Sequence, residues 1–117
     1  MVTVLQDSGV LAPCSTAYDK RAVGVLSGAG DLRPAITLGA IENSASTAAI
    51  ALVGTAYCWI DAECDPIEVG DLLTSSPTPG HAMKAADRGR SFGAVLGKAL
   101  TSLRKGRALL PMLVALQ

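Results

Sequence analysis

The 117-residue chain has few aromatic residues, one histidine and no net charge. One Trp, two Tyr and one Phe are its whole aromatic complement, a thin supply for stacking on sugars. Ten basic residues balance ten acidic ones. That balance leaves no electrostatic footprint for a nucleic acid, and none is expected as a partner. Three cysteines, Cys14, Cys58 and Cys64, are an odd number and a poor disulfide framework. A zinc site would need about four closely spaced nitrogen or sulfur ligands. His81 is the only histidine and no C-x-x-C pair occurs, so no metal and no cofactor are expected. The longest apolar run, Ala48 to Ile60, is interrupted by Gly54 and Thr55. It falls short of the roughly 18 to 20 residues of a membrane span. Met1 is followed by no basic leader and no cleavage site. The start therefore reads as the edge of a domain cut from a longer chain.

What is abundant is small apolar residues. Half of the chain is hydrophobic and only 17% is charged, which excludes disorder. The length fits one domain, residues 1–117. A domain of this size buries somewhat less than about 70% of the surface its unfolded chain exposes. With so many Ala, Val and Leu and so little polar cover, apolar surface is left over. A neutral, apolar surface favours association, and a homo-oligomer is expected.

The chain divides into short β segments separated by turn residues. Val2 to Leu5 and Val10 to Ala12 flank Asp7-Ser8-Gly9 and predict a hairpin. Ala22 to Ser27 reads as a buried strand, ended by Gly28 to Asp31, and Ala35 to Leu38 as another short strand. Glu42 to Thr47 is polar and small, a loop. Ala48 to Ile60 is the spine: β-branched and aromatic residues favour strand, and Gly54 weakens a helix. Ile50, Leu52, Gly54, Ala56 and Cys58 fall on one of its faces and Ala51, Val53, Thr55, Tyr57 and Trp59 on the other. Both faces are largely apolar, which predicts cover on both sides. Asp61 to Pro66 is an acidic turn, Ile67 to Thr74 two short strands about Gly70-Asp71, and Ser75 to Gly80 a loop with two prolines. His81 to Ala85, Phe92 to Leu100 and Leu109 to Leu116 are the remaining strands, with Pro111 marking a bulge or an edge. Helix competes over Lys84 to Arg88 and Lys98 to Arg104, for one or two turns at most. A faint repeat, apolar-Gly-apolar-apolar after a polar excursion, links Val23 to Leu26 with Phe92 to Leu96. Many short strands at this spacing predict an all-β fold: a small barrel or β-clip-like domain of antiparallel strands.

Chemistry-bearing residues are few. Asp61, Glu63 and Asp65 cluster in one turn, and paired carboxylates act as acid and base when their pKa values are split. The ordinary role of such a turn is solvation. Ser75 and Ser76 lie near His81, but no G-x-S-x-G elbow is present. A Cys–His pair of Cys14 or Cys64 with His81 is formally open, as is a Cys58–Cys64 bridge across the turn. Cys58 reads as a small buried hydrophobe. No catalytic residue is assigned.

Residues Ala49 to Lys84, AIALVGTAYCWIDAECDPIEVGDLLTSSPTPGHAMK, resemble the core of a family of C-terminal domains on bacterial and phage fibre-like proteins. The flanks AYDKRAVGVLSGAG, FGAVLGKAL and LLPMLVALQ share that resemblance, which covers most of the chain. The glycine-marked β pieces are more distantly similar to the autoproteolytic chaperone domain of phage neck-appendage and tail proteins. Pro66 to Leu100 also resembles the β-clip of sugar- and antifreeze-type domains, with Gly70-Asp71-Leu72-Leu73 and Gly80-His81-Ala82-Met83 as turn-strand pairs. The resemblance implies a non-enzymatic, trimerising terminal module of a fibre, on a virion, a phage-like particle or a bacterial surface. Val23, Val25, Val53, Ala94 and Leu96 are the candidate interface residues, with Gly24, Gly93 and Ala94 small enough for close approach of chains. The competing expectations are a glycan- or ligand-binding β-clip, resting on Tyr18, Tyr57, Trp59 and Phe92, and the remnant of a self-cleaving chaperone domain.

Overall fold

The computed structural model describes residues 1–26, 50–51 and 53–116. The turn expected at Gly28 to Asp31, the strand at Ala35 to Leu38 and the loop at Glu42 to Thr47 lie outside the described residues. The regular structure of the described chain is almost all β-strand, as the sequence predicts. Four of them, β1 (Val2–Leu5), β2 (Leu11–Pro13), β3 (Ala22–Leu26) and β4 (Ile50–Ala51), form one antiparallel sheet in the order β2-β1-β3-β4. The first hairpin turns where expected, closed by a bond from Gln6 N–H to the Val10 carbonyl at 3.0 Å.

The other five strands close a barrel in the order β5-β7-β6-β8-β9. They are β5 (Val53–Asp61), β6 (Leu72–Ser75), β7 (Ala82–Lys84), β8 (Val95–Ala99) and β9 (Arg107–Ala115). Neighbours run antiparallel except β5 and β7, which meet in parallel at Ile60 and Ala82. The spine is therefore divided: Ile50 and Ala51 pair with β3, whereas Val53 to Asp61 pair with β9. Ser75, expected in a loop, ends β6 opposite Ala82. Lys98 and Ala99 belong to β8, and Leu103 bridges to Ile67, so no helix forms there. The one short helix among the described residues, α1 (Arg88–Ser91), follows Asp87, whose carboxylate accepts from Arg90 N–H and caps it.

The ladder between β5 and β9 runs unbroken from Val53–Ala115 to Asp61–Arg107. Pro111 makes no bulge in it. It sits just before Met112 to Val114, the stretch that β8 pairs on the other side, so its missing N–H costs the sheet no recorded pair there. The barrel interior is narrow, and small side chains fill it from β5: Ala56, Cys58 and Ile60 point inward, opposed by Met112 and Val114 from β9. Gly97 lets β8 lie against β9; a Cβ there would run into the Leu113 carbonyl and come within 3.0 Å of Ala115 N.

A single apolar cluster joins the barrel residues Cys58, Ile60, Leu73, Leu96, Met112 and Val114 to Val2, Val4 and Val25 of the sheet. Backbone bonds stitch the two parts as well. Val2 N–H donates to the Gly80 carbonyl, Gly80 N–H to that of Cys14, and Cys14 N–H to that of Val2, each at 2.9 Å. The loop before β3 is fixed to β6 through Ser75, whose hydroxyl donates to the Thr16 carbonyl and accepts from Asp19 N–H, both at 2.8 Å.

Candidate functional site

The residues that set this chain apart lie on the outward face of the β5–β9 ribbon. Directly opposed residues of an antiparallel pair share a face. The outward pairs are Thr55–Leu113, Tyr57–Pro111, Trp59–Leu109 and Asp61–Arg107. Three of the four are apolar or aromatic on at least one strand. Tyr57 is 46% exposed, Trp59 42% and Leu113 39%. The spine was expected to be covered on both faces. Among the described residues the inward face is buried, whereas the outward face is only partly covered and the two aromatic rings lie on it.

The charged end of this stripe is organised around Asp61. Its carboxylate accepts from the Thr78 hydroxyl at 2.5 Å and from Glu63 N–H at 2.8 Å, and Arg107 Nε lies 3.4 Å away. Burial opposes the charge, but the bonds from Thr78 and Glu63 and the cationic Arg107 outweigh it and hold the carboxyl below its ordinary value. Asp61 is thus an ionised, fully engaged strut. Glu63 and Asp65 are exposed. The turn behaves as a solvated turn with one anchored member, and nothing in its geometry divides an acid from a base.

His81, at the start of β7, packs its ring on Trp59, with centroids 5.7 Å apart and planes tilted by 38°. Its Nδ1 lies 2.8 Å from the Pro79 carbonyl and donates to it, since a carbonyl can only accept. Thr78, Pro79 and His81 thereby form a polar rim beside the Trp59 ring. This juxtaposition arises from the parallel β5–β7 pairing, which joins segments that are distant in sequence. The spacing of Trp59 and Asp61, two apart on one strand, was the one legible sign that they share a face.

The other chemistry-bearing residues are structural. Ser76 donates to the His81 carbonyl at 2.7 Å, and Ser75 holds the Thr16–Asp19 loop. Both hydroxyls are buried and turned to backbone, away from the His81 ring. Cys14 and Cys58 are buried thiols, Cys64 is exposed, and all three are free. Burial pushes the Cys58 thiol up to about 11 and raises that of Cys14, the reverse of an activated nucleophile. Among the described residues, no group of three or more His, Cys, Asp or Glu is placed to hold a metal ion.

Val25 and Leu96 lie fully inside the protomer, Ala94 is 3% exposed and Val23 is half-buried. Of Val53 only the backbone in β5 is described. Val25, Leu96 and Ala94 have no surface to offer a second chain while the protomer keeps this fold. Gly24 is buried and Gly93 exposed. Tyr57 and Trp59 lie in a strand, β5, as expected, and are exposed on it; Phe92, expected in a strand, lies in the turn before β8 and is 96% exposed. Tyr18 is half-buried in a left-handed conformation (φ 53°), its hydroxyl accepting from Asp87 N–H at 2.8 Å and its ring lying 4.6 Å below the Arg90 guanidinium. No protein-family model matches the chain, and no curated protein or solved structure is significantly similar to it.

Proposed function

We propose that the chain is a non-enzymatic assembly module that associates with copies of itself, as a homotrimer, through the outward face of the β5–β9 ribbon. One observation carries this reading: a regular ladder whose inward side builds the core and whose outward side still presents Tyr57, Trp59, Leu109, Pro111 and Leu113. Burying a large apolar side chain completely is worth about 1.5 to 3 kcal/mol. Three residues left roughly 40% exposed therefore hold back on the order of 1 kcal/mol each. A second copy would recover this, and Trp and Tyr are the residues that dominate protein interfaces. The absence of net charge removes repulsion between copies. The sequence resemblance supplies the context, the terminal domain of a fibre on a phage-like particle or a cell surface. Gel filtration with light scattering tests the reading. The expected mass is three times that of the chain, and a monomer at micromolar concentration overturns it.

The exposed Tyr57 and Trp59 also favour a second reading, a carbohydrate-binding module. Two aromatic rings two residues apart, ended by Asp61, Thr78 and His81, offer an apolar floor with a polar edge. A glycan array separates the two: no hit leaves assembly alone, and a hit that dissociates the oligomer assigns the face to sugar.

A further inference from the structure

A ring of three identical chains cannot be made from one self-complementary patch. Such a patch closes at two copies, and larger rings need two different surfaces on each chain. The β5–β9 face supplies one. A Tyr or Trp buries about 150 to 250 Å² when fully covered. The two rings, each less than half exposed, therefore supply roughly 200 Å² between them and Leu113 a little more. A stable interface buries about 800 Å² on each partner. These residues are the centre of such a contact and not the whole of it, and the surface that meets them in a ring is a different element of the neighbouring copy.

Phe92 is that element. It is 96% exposed, far above any other large hydrophobic residue described, and the backbone that carries it is tied down. Asp87 caps α1 and accepts from the Ser91 hydroxyl on its carbonyl at 2.6 Å. Ala94 N–H closes the turn onto the Ser91 carbonyl at 2.8 Å, and Gly93 takes the positive φ of 79° that the reversal needs. Tyr18 bonds to Asp87 N–H from beneath and packs on Arg90. The backbone beneath the ring is therefore ordered before docking, and only the side chain's own rotamers remain to be fixed. At 96% exposure it touches neither aromatic ring of its own ribbon. β8, which follows it, is separated from β5 by β9 on one side and by β6 and β7 on the other. The two features face different directions, as a ring requires.

We propose that Phe92 of one copy docks on the Tyr57–Trp59 face of the next, with the exposed Arg88 alongside it over the aromatic rings. The inference rests on the self-association reading and specifies its contact. Edge-to-face packing of Phe92 on Trp59 or Tyr57 and a guanidinium over an indole are both favourable pairings.

Trp59 is the only tryptophan, so its emission reports this face alone. Two variants test the contact: Phe92→Ser, which keeps the face and lacks the knob, and Tyr57→Ser/Trp59→Ser, which keeps the knob and lacks the face. All substituted side chains are exposed, and circular dichroism checks that each variant folds. Each variant is expected to assemble at least about tenfold more weakly than the parent, the size of effect seen at a hot spot. Mixing the two leaves one intact contact and yields a one-to-one heterodimer. The Trp59 emission of the Phe92→Ser chain then shifts to the blue on addition of the tryptophan-free chain. The contact is overturned if Phe92→Ser retains the parent mass and emission, or if the mixture stays monomeric; in both cases an oligomeric parent leaves the self-association reading standing. A monomeric parent overturns both.

Discussion

Gly97→Ala is expected to be one of the most damaging single-methyl changes in this protein. The added carbon would overlap the Leu113 carbonyl oxygen and lie 2.9 Å from its carbon and 3.0 Å from Ala115 N. All three obstacles are backbone, so no rotamer change relieves them. β8 must instead lift from β9 at the Gly97–Val114 pair, one of only three pairs that join these strands. Overpacking costs about 1 to 3 kcal/mol, and a buried backbone bond left unmade costs about 1 to 3 kcal/mol more. The sum is about 4 kcal/mol, a large part of the roughly 5 to 15 kcal/mol that holds a domain together. For a chain of this length that corresponds to a fall in Tm of roughly 12 to 20 °C. Urea unfolding followed by Trp59 fluorescence and circular dichroism measures it. Gly89→Ala is the control. Gly89 lies in α1, and its added Cβ meets only Asp87 Oδ1 at 3.5 Å, so stability should hold or rise by up to about 1 kcal/mol. A loss below about 1 kcal/mol for Gly97→Ala, or equal losses in the two variants, would refute the account of how β8 and β9 meet.

Other outcomes follow from the same structure. Ser75→Ala removes the hydroxyl that bonds both Thr16 and Asp19 and should cost about 1 to 3 kcal/mol in urea unfolding; a change under about 0.5 kcal/mol would show that the loop is held by other contacts. With Ellman's reagent, the native protein should expose one fast thiol, Cys64, and release Cys14 and Cys58 only in denaturant; a second fast thiol counts against the buried placement. The bonds from Arg21 hold Asp19 below its ordinary value, and Asp61 is held low although burial opposes it. As pH falls, the unfolded chain takes up these protons first, so stability is complete above the unfolded value of 3.8 and drops as pH falls through the lower folded values. The double variant Asp19→Asn/Asp61→Asn should lose stability at pH 7 and show a flatter decline between pH 4 and pH 2, and an unchanged slope would remove both residues from the acid response.

The turns were readable because glycine, proline and aspartate mark them: Asp7-Ser8-Gly9 and Ser75 to Gly80 bound strands much as expected. The partition of the spine was not readable. Both of its faces are apolar, so period-two alternation says which residues share a face but not which face turns in. The barrel turns in the face that carries Ala56, Cys58 and Ile60 and leaves Tyr57 and Trp59 outside. Val25 and Leu96, named as interface candidates, lie buried within the protomer, and the sequence did not show this for a related reason. An apolar residue in a strand has the same sequence signature whether it packs on its own chain or on another. The Trp59–His81 contact depends on a parallel pairing of distant segments, which no local pattern encodes.

The order of strands around the barrel also governs how the protein is made. β5 is held along its whole length only by β9, the last strand of the chain. Until residues 107–115 emerge from the ribosome, β5 can pair only at Ile60, and the outward-facing Tyr57 and Trp59 sit on a strand without a partner. Closure of the barrel therefore waits for β9, and the same event that completes its core presents the surface proposed for its neighbours. Any contact made through this face therefore has to follow the making of β9, which orders it after the barrel is complete.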